Sequence, residues 1–183
     1  MEKFGKAQPV RRLEDRRFVT GAGRYIDDET PEGSLHGVFV RATYAHADFA
    51  PLDLSEAIQM PGVVLGLTAE DMVEMGAKMN IPGAAVPNID GTTTGAPKRP
   101  MLAMGRVRFV GEPMALIVAE TYDQAREAAE AVMPDYDAKP AKMDLADGGE
   151  TLHELAPDNL GFHWGMGDKD ATDAAFALSL IHI

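Results

Sequence analysis

The sequence predicts an α/β protein in which a few helices cover a mixed sheet in two layers. Two stretches carry this prediction. The wholly apolar run VVLGL at residues 63–67 is typical of a buried strand, and residues 107–132 lead from an apolar strand directly into an alanine-rich helix. The composition, 45% hydrophobic and 25% charged, is typical of a folded globular protein. We expect one real core, in one or two domains.

The first half of the chain predicts two strands and two short helices. Residues 35–44 are rich in β-branched and aromatic side chains and predict a strand, followed by a short extended segment at 50–54. Ser55 can cap a helix that runs through Met60. Because the run at 63–67 has no polar side chain, we expect that strand to be covered on both faces.

The pattern T-x-x-D that begins at Thr68 indicates the start of a helix. The Thr68 hydroxyl can accept a hydrogen bond from the backbone N–H of Asp71, whose carboxylate suits the positive end of the helix. We expect this helix over residues 69–75. Residues 76–105 are rich in Gly and Pro without a sustained period. Such a long loop indicates a functional or partner-covered segment, or a mistaken assignment of elements.

Gly111-Glu112-Pro113 interrupts the strand predicted over residues 107–118. Because proline cannot donate to a β-ladder, we expect residues 111–113 to lie at an edge, a bulge or a bend.

The helix that follows opens with T-x-x-Q at Thr121 and Gln124, a capping-box pattern. Small side chains at i, i+3, i+4 and i+7 then predict a stripe that faces the sheet: Ala125, Ala128, Ala129 and Val132. Pro134 ends this helix. A strand at 135–138 and a last helix from near Asp170 complete the prediction.

Composition and charge exclude several classes of function. Cysteine is absent, which excludes disulfides, thiolate zinc sites and Cys-ligated iron–sulfur clusters within these residues. The formal net charge of −12 argues against nucleic acid as a ligand. No apolar run of membrane-spanning length and no secretory leader is visible, so we expect a cytoplasmic protein with no membrane partner.

The N-terminal arm is basic although the chain as a whole is acidic. Four arginines could dock it on an acidic neighbour, or could pair with Glu14 and Asp15 beside them: Arg11, Arg12, Arg16 and Arg17.

Candidate ligand sites are weak at the level of sequence. Gly21 and Gly23 lack the third glycine of a dinucleotide fingerprint, which would stand at Ile26, so a tight turn explains them better. His46 and Asp48 share a face at strand spacing and could bind a metal, although such pairs are ordinary near turns.

Glu112, beside the predicted bend, could be a carboxylate with a tuned pKa or simply one bonded to nearby backbone N–H groups. Several methionines are expected to fill core and interface gaps: Met60, Met72, Met75, Met79, Met101 and Met104. Nucleophile motifs are absent from the sequence. We therefore assign no catalytic, cofactor-binding or metal-ligating residue within this chain.

Four blocks of sequence, in order, resemble the large subunit of molybdenum hydroxylases, the xanthine dehydrogenase and aerobic carbon monoxide dehydrogenase superfamily. The blocks are RRLEDRRFVTGAGRYIDD, GVFVRATYAHA, PGVVLGLTAEDM and RPMLAMGRVRFVGEPMALIVAETYDQAREAAE. The resemblance covers residues 11–141 and is specific in its order rather than in any single motif. It implies the α/β hammerhead domain of that subunit.

The resemblance implies an oxidoreductase that hydroxylates aldehydes or N-heterocycles, or oxidises carbon monoxide, with oxygen derived from water. Its molybdopterin, two [2Fe–2S] clusters and FAD would lie outside this chain, the clusters and flavin on small and medium partner subunits. The catalytic residues of the family also lie beyond residue 183. The chain itself is then structural and contacts other subunits. The alternative is a free-standing, non-catalytic binding or assembly module with the same fold.

We divide the chain accordingly into four parts. Residues 1–33 form an arm and turn, and 34–141 the hammerhead domain. Residues 142–177 connect toward molybdopterin-binding domains outside the chain. The last six residues, 178–183, differ from what a helical continuation would need and are expected to be a foreign tail.

Overall fold

The computed structural model describes residues 12–81, 86–93, 97–146 and 148–178. The chain divides into two compact units, Met1–Leu35 and His36–Ile183. Of the suspected foreign tail, only Leu178 belongs to the described residues.

The N-terminal unit contains a short helix, α1 (Asp15–Val19), and a 3-10 turn, Ile26–Asp28. The Phe18 and Tyr25 rings stack at a centroid distance of 5.7 Å. Gly21 adopts φ 71° just after α1, and a Cβ on Gly23 would lie 2.8 Å from the Phe18 ring. The two glycines therefore serve a tight turn that seats an aromatic ring, as expected.

In the described part of the larger unit lie the β-strands, four α-helices and a 3-10 turn, Pro157–Asn159. The strands are β1 (His36–Arg41), β2 (Ala47–Phe49), β3 (Val63–Thr68), β4 (Asn80–Ile81), β5 (Arg99–Pro100), β6 (Arg106–Val107), β7 (Pro113–Ala119) and β8 (Tyr136–Ala138). The helices are α2 (Ser55–Ile58), α3 (Ala69–Glu74), α4 (Tyr122–Ala131) and α5 (Lys169–Leu178).

Two three-stranded sheets organise this unit, in the orders β1-β7-β3 and β6-β2-β8. All of their strand pairs are antiparallel, so the sheets are not mixed as the sequence analysis expected. A short β4–β5 pair lies in the predicted loop. The predicted α/β class with helices covering a sheet is confirmed.

Strand β7 is the centre of the first sheet and pairs with β1 on one side and β3 on the other. Residues 111–113 were expected at an edge, a bulge or a bend, and of these alternatives the structure has the bend, beside a central strand. Gly111 turns the chain at φ 87°, and Pro113 is the first residue of β7, opposite a register shift after Val40. The proline is tolerated in a central strand because it stands at the strand's end.

Three local predictions in the first half need correction. The second extended segment is at Ala47–Phe49, not 50–54. Ser55 does not cap α2; its own N–H is bound by Asp53 Oδ1 at 2.9 Å. Strand β3 is not covered on both faces, because Val64 and Leu65 are 55% and 42% exposed at the edge of the sheet.

The two helix starts marked by threonine are confirmed. Thr68 Oγ1 accepts from the N–H of Asp71, and Thr121 Oγ1 accepts from that of Gln124. In both cases the third-position side chain reaches back to the threonine N–H, which completes a capping box.

The small-residue stripe of α4 faces the sheet as predicted, with Ala125 and Ala128 fully buried. It packs in a first core cluster: Val40, Leu54, Ala57, Ala115, Ile117, Ala128, Ala129 and Val132. A second cluster lies at the other end of β7, against the smaller sheet: Ala42, Ala47, Ala103, Val107 and Met114. The small side chains let α4 approach the strands closely.

Candidate functional site

The strongest polar cluster lies on the smaller sheet, around Asp48 of β2. Arg106 of β6 stands opposite Asp48 in the register. Its Nε and Nη2 bind the two carboxylate oxygens, Nη2 to Oδ2 at 3.0 Å. Lys139 Nζ adds a contact of 3.3 Å to Oδ2. The hydrogen bond from Arg106 is the main reason that the pKa of Asp48 is lowered to about 2.

His46, two residues before Asp48, is 4% exposed. Its Nδ1 lies 2.8 Å from the carbonyl oxygen of Pro140, which makes Nδ1 the donor. Nε2 is buried and has no hydrogen-bond partner among the described residues.

These contacts argue against a metal bound by His46 and Asp48. Both oxygens of Asp48 already bind cationic side chains, so the carboxylate is part of an ion-pair network. Within the part of the chain that the structure describes, no group of three or more His, Asp or Glu side chains could hold a metal ion. The ordinary alternative, a structural pair near a turn, is the one that the contacts support.

Glu112 is 5% exposed and its Oε2 accepts from the backbone N–H of Arg108 at 2.6 Å. This is the second of the two readings of Glu112, a carboxylate bonded to backbone. It fixes the turn between β6 and β7, which also receives a 2.9 Å bond from Arg41 Nη1 to the Gly111 carbonyl. The turn holds Phe109 and Val110 out in solvent, 55% and 65% exposed.

The methionines divide between core and surface. Met60 packs against the first cluster, and Met114, which the sequence did not single out, is fully buried. Met75, Met101 and Met104 are exposed. Their expected role at interfaces stays a prediction.

In the segment after the smaller sheet, Asn159 makes three hydrogen bonds to the backbone. Asn159 Oδ1 accepts from the N–H of Leu152 at 2.8 Å, and Nδ2 donates to the carbonyls of Gly148 and Glu150 at 3.0 and 2.9 Å. Asp158 and Asn159 both adopt positive φ, 54° and 58°. Asparagine tolerates this conformation better than most residues, so Asn159 suits the position in two ways.

The same segment is bound to residues before β7 at two further points. Arg108 Nε donates to the Leu152 carbonyl at 2.9 Å. The N–H of His163 donates to Asn88 Oδ1, and that of Ile89 to the His163 carbonyl, both at 2.8 Å. These hydrogen bonds tie part of the predicted connecting segment to Asn88, Ile89 and Arg108.

A groove of about 730 Å³ runs between β1, the end of α4 and β8. Its charged lining residues are Arg41, Arg126, Glu130 and Asp135. No helix in the described ranges has the length and apolar character needed to cross a membrane.

Comparison with known proteins identifies the family to which this fold belongs. A family model described as the aldehyde oxidase and xanthine dehydrogenase a/b hammerhead domain matches residues 20–140. The chain belongs to this hammerhead family. The resemblance seen in the sequence blocks is confirmed.

Several relatives of this hammerhead chain are large subunits of oxidoreductases. The nicotine 6-hydroxylase large subunit of Paenarthrobacter nicotinovorans is 35% identical, over 95% of this chain and 21% of that subunit. The carbon monoxide dehydrogenase large chain of Afipia carboxidovorans is 32% identical, over 91% and 21%. The hammerhead chain thus spans about a fifth of the length of these relatives.

Solved structures agree with this placement. Reconstituted CO dehydrogenase from Oligotropha carboxidovorans superposes with a TM-score of 0.71 at 30% identity, over 93% of this chain and 22% of that one. Quinoline 2-oxidoreductase from Pseudomonas putida 86 gives 0.61 at 35% identity, over 77% and 16%.

Sequence reasoning missed the partners of Asp48 in the polar cluster on the smaller sheet. Arg106 and Lys139 were not singled out, because each stands far along the chain from Asp48. Asn159 was also missed, although Asn after Asp in a Gly- and Pro-rich stretch is a signal for positive φ. Only the pairing of β2 with β6 and β8 shows that these charges meet.

Proposed function

We propose that this chain is the N-terminal part of the large subunit of a molybdopterin-containing oxidoreductase, and that its own role is structural. The parent enzyme hydroxylates an aldehyde or N-heterocycle, or oxidises carbon monoxide, with oxygen from water. The observation that carries the proposal is the hammerhead match over residues 20–140 in a chain that spans only 21% of its large-subunit relatives.

Among the described residues, the candidate ligands do not fit a molybdenum site. Asp48 is held by Arg106 and Lys139, Glu112 binds backbone, and His46 lies buried with its Nδ1 on a carbonyl. Asp48 and Glu112 thus have structural partners of their own, and the unpaired Nε2 of His46 is not part of a group of three or more possible ligands among the described residues. The proposal therefore places the molybdopterin, which supplies the oxidation chemistry, in other parts of the parent subunit.

The proposal extends to partners and location. Since the chain has no cysteine, the [2Fe–2S] clusters of such an enzyme would be held by a small subunit and the FAD by a medium subunit. The complex would be cytoplasmic. The names of relatives support a subunit role, since one is a subunit of the 6-hydroxypseudooxynicotine dehydrogenase complex.

The test is the molybdenum and pterin content of the purified chain together with dye-linked oxidation of an aldehyde panel. The 183-residue chain alone should contain neither molybdenum nor pterin and should show no turnover. The complete large subunit proposed here, co-expressed with the small and medium subunits, should contain both. Molybdenum and turnover in the lone chain would place the active site here. A gene that ends without molybdopterin-binding sequence would instead indicate a free-standing module.

A further inference from the structure

The first sheet has one face covered by helices and one that is open. Along β1 and β7 the side chains alternate: Val38, Val40, Ala115 and Ile117 belong to the core beneath α4. The residues between them point the other way, since successive side chains of a strand lie on opposite faces. We call this second surface the outer face; its residues are Gly37, Phe39, Leu65, Leu67, Leu116 and Val118.

The strand register orders the outer face into two rows. Phe39, Leu116 and Leu67 are paired across the three strands, and Gly37, Val118 and Leu65 form the next row. Gly37 has no side chain, and a Cβ there would touch Leu116 Cδ1 at 3.4 Å. Five apolar side chains thus lie next to one another without a charged group between them.

The exposure of these side chains shows that the outer face lacks a cover. Phe39 and Leu65 are each 42% exposed, and Leu67, Leu116 and Val118 are partly exposed. At the end near Met114 the second core cluster closes the surface. Over the rest of the sheet, the core cluster found among the described residues packs on the opposite face, beneath α4.

Arg41 marks the rim of the outer face. Its guanidinium lies 5.4 Å from the centre of the Phe39 ring and donates to the Gly111 carbonyl. It joins the outer face to the turn that presents Phe109 and Val110. Arg41 therefore links the apolar rows to an exposed apolar tip, Phe109 and Val110.

We propose that the outer face and the Phe109–Val110 tip are the docking surface for the remainder of the same large subunit, an inference that rests on the proposed function. Two observations select this occupant. The relatives carry about four fifths of their length outside this segment. An apolar patch without charges is typical of permanent interfaces, whereas transient partners use more polar surfaces.

The test is carbene footprinting of the 183-residue chain and of the complete subunit encoded by its uninterrupted gene. Labelling of Phe39, Leu65 and Phe109 should be strong in the lone chain and fall severalfold in the complete subunit. Tyr122, which is 56% exposed at the start of α4, should stay labelled in both and serves as the control.

Substitution gives a second readout. Leu65→Lys should leave the Tm of the lone chain nearly unchanged, because Leu65 is already exposed there, and should lower the Tm of the complete subunit by several degrees. The matched control Tyr122→Lys should change neither. The milder Leu65→Thr keeps the comparison possible if the lysine variant of the complete subunit fails to accumulate.

The outcomes separate this inference from the proposed function. A complete, molybdenum-containing subunit in which the outer face stays labelled would overturn the docking surface and leave the proposed function intact. A gene that ends without further domains would overturn both. Protection that grows with the concentration of the lone chain, together with a dimer in light scattering, would assign the outer face to a second copy and also overturn the proposal.

Discussion

Arg106 binds both carboxylate oxygens of Asp48 across the pair of strands β2 and β6. Lys139 reaches the same carboxylate from beyond β8. Asp137 stands opposite Asp48 in the register, so two acidic side chains are neighbours on this sheet. The two cations offset that repulsion, and the network ties the three strands together by charge as well as by backbone hydrogen bonds.

The ion pair predicts a pH dependence of stability. The pKa of Asp48 falls from 3.8 to about 2 on folding, chiefly through the hydrogen bond from Arg106. Its stabilising contribution is therefore complete above pH 3.8 and is lost as the pH falls through about 2. Asp48→Asn should lower the Tm at pH 7 and have little effect near pH 2, as measured by circular dichroism. An equal deficit at both values would contradict the pairing, and Asp170→Asn on the exposed α5 is the control.

The cap of α4 predicts a measurable loss of stability when its hydroxyl is removed. Thr121→Ala deletes the acceptor for the Gln124 N–H and should lower the free energy of unfolding by about 1 kcal/mol. Thr121→Ser keeps the hydroxyl acceptor and should retain most of the stability that Thr121→Ala loses. Urea denaturation of the three proteins distinguishes these cases; equal losses in both variants would mean that the methyl group, not the cap, matters.

The stripe of small side chains on α4 predicts that a larger side chain there lowers the free energy of unfolding strongly. Ala128 is fully buried against the sheet, so Ala128→Leu should lower the free energy of unfolding by about 1–3 kcal/mol through overpacking. The matched change Glu127→Leu, one position away on the exposed side, should have a much smaller effect. Similar results for the two variants would show that α4 does not pack closely on β1 and β7.

Asn159 predicts a difference between two substitutions that remove the same hydrogen bonds. Asn159→Ala and Asn159→Gly both release Gly148, Glu150 and Leu152, but only glycine adopts φ 58° without strain. The free energy of unfolding of Asn159→Ala should be about 1 kcal/mol lower than that of Asn159→Gly. The hydrogen-exchange rate of the Leu152 amide should rise in both variants, and more in Asn159→Ala. Unchanged exchange would rule out the asparagine as the residue that orders this segment.

What could be predicted from the sequence is what local spacing determines. The two threonine caps and the alanine stripe depend on residues three or four apart, so the patterns were sufficient to place α3 and α4. The exposure of Val64 and Leu65 was mispredicted because an apolar run signals burial without saying whether this chain or another provides the cover. The central position of β7 was also missed, since its terminal proline resembles an edge signal when pairing is unknown.

The polar cluster was beyond prediction for a different reason. Asp48 meets Arg106 and Lys139 only because β2 lies between β6 and β8, and strand order in a sheet is not a property of any short window of sequence. The family resemblance supplied the fold, but the contacts had to come from the structure.

The central place of β7 has a consequence for folding kinetics. His36 and Val63 both pair with Ala119, so neither β1 nor β3 has a partner until β7 has been synthesised. Long-range pairing of this kind slows folding, because a large loop must close before its contacts form. The sheet around β1 and β3 therefore cannot form before β7 is available, and we expect this long-range pairing to be a slow step in folding.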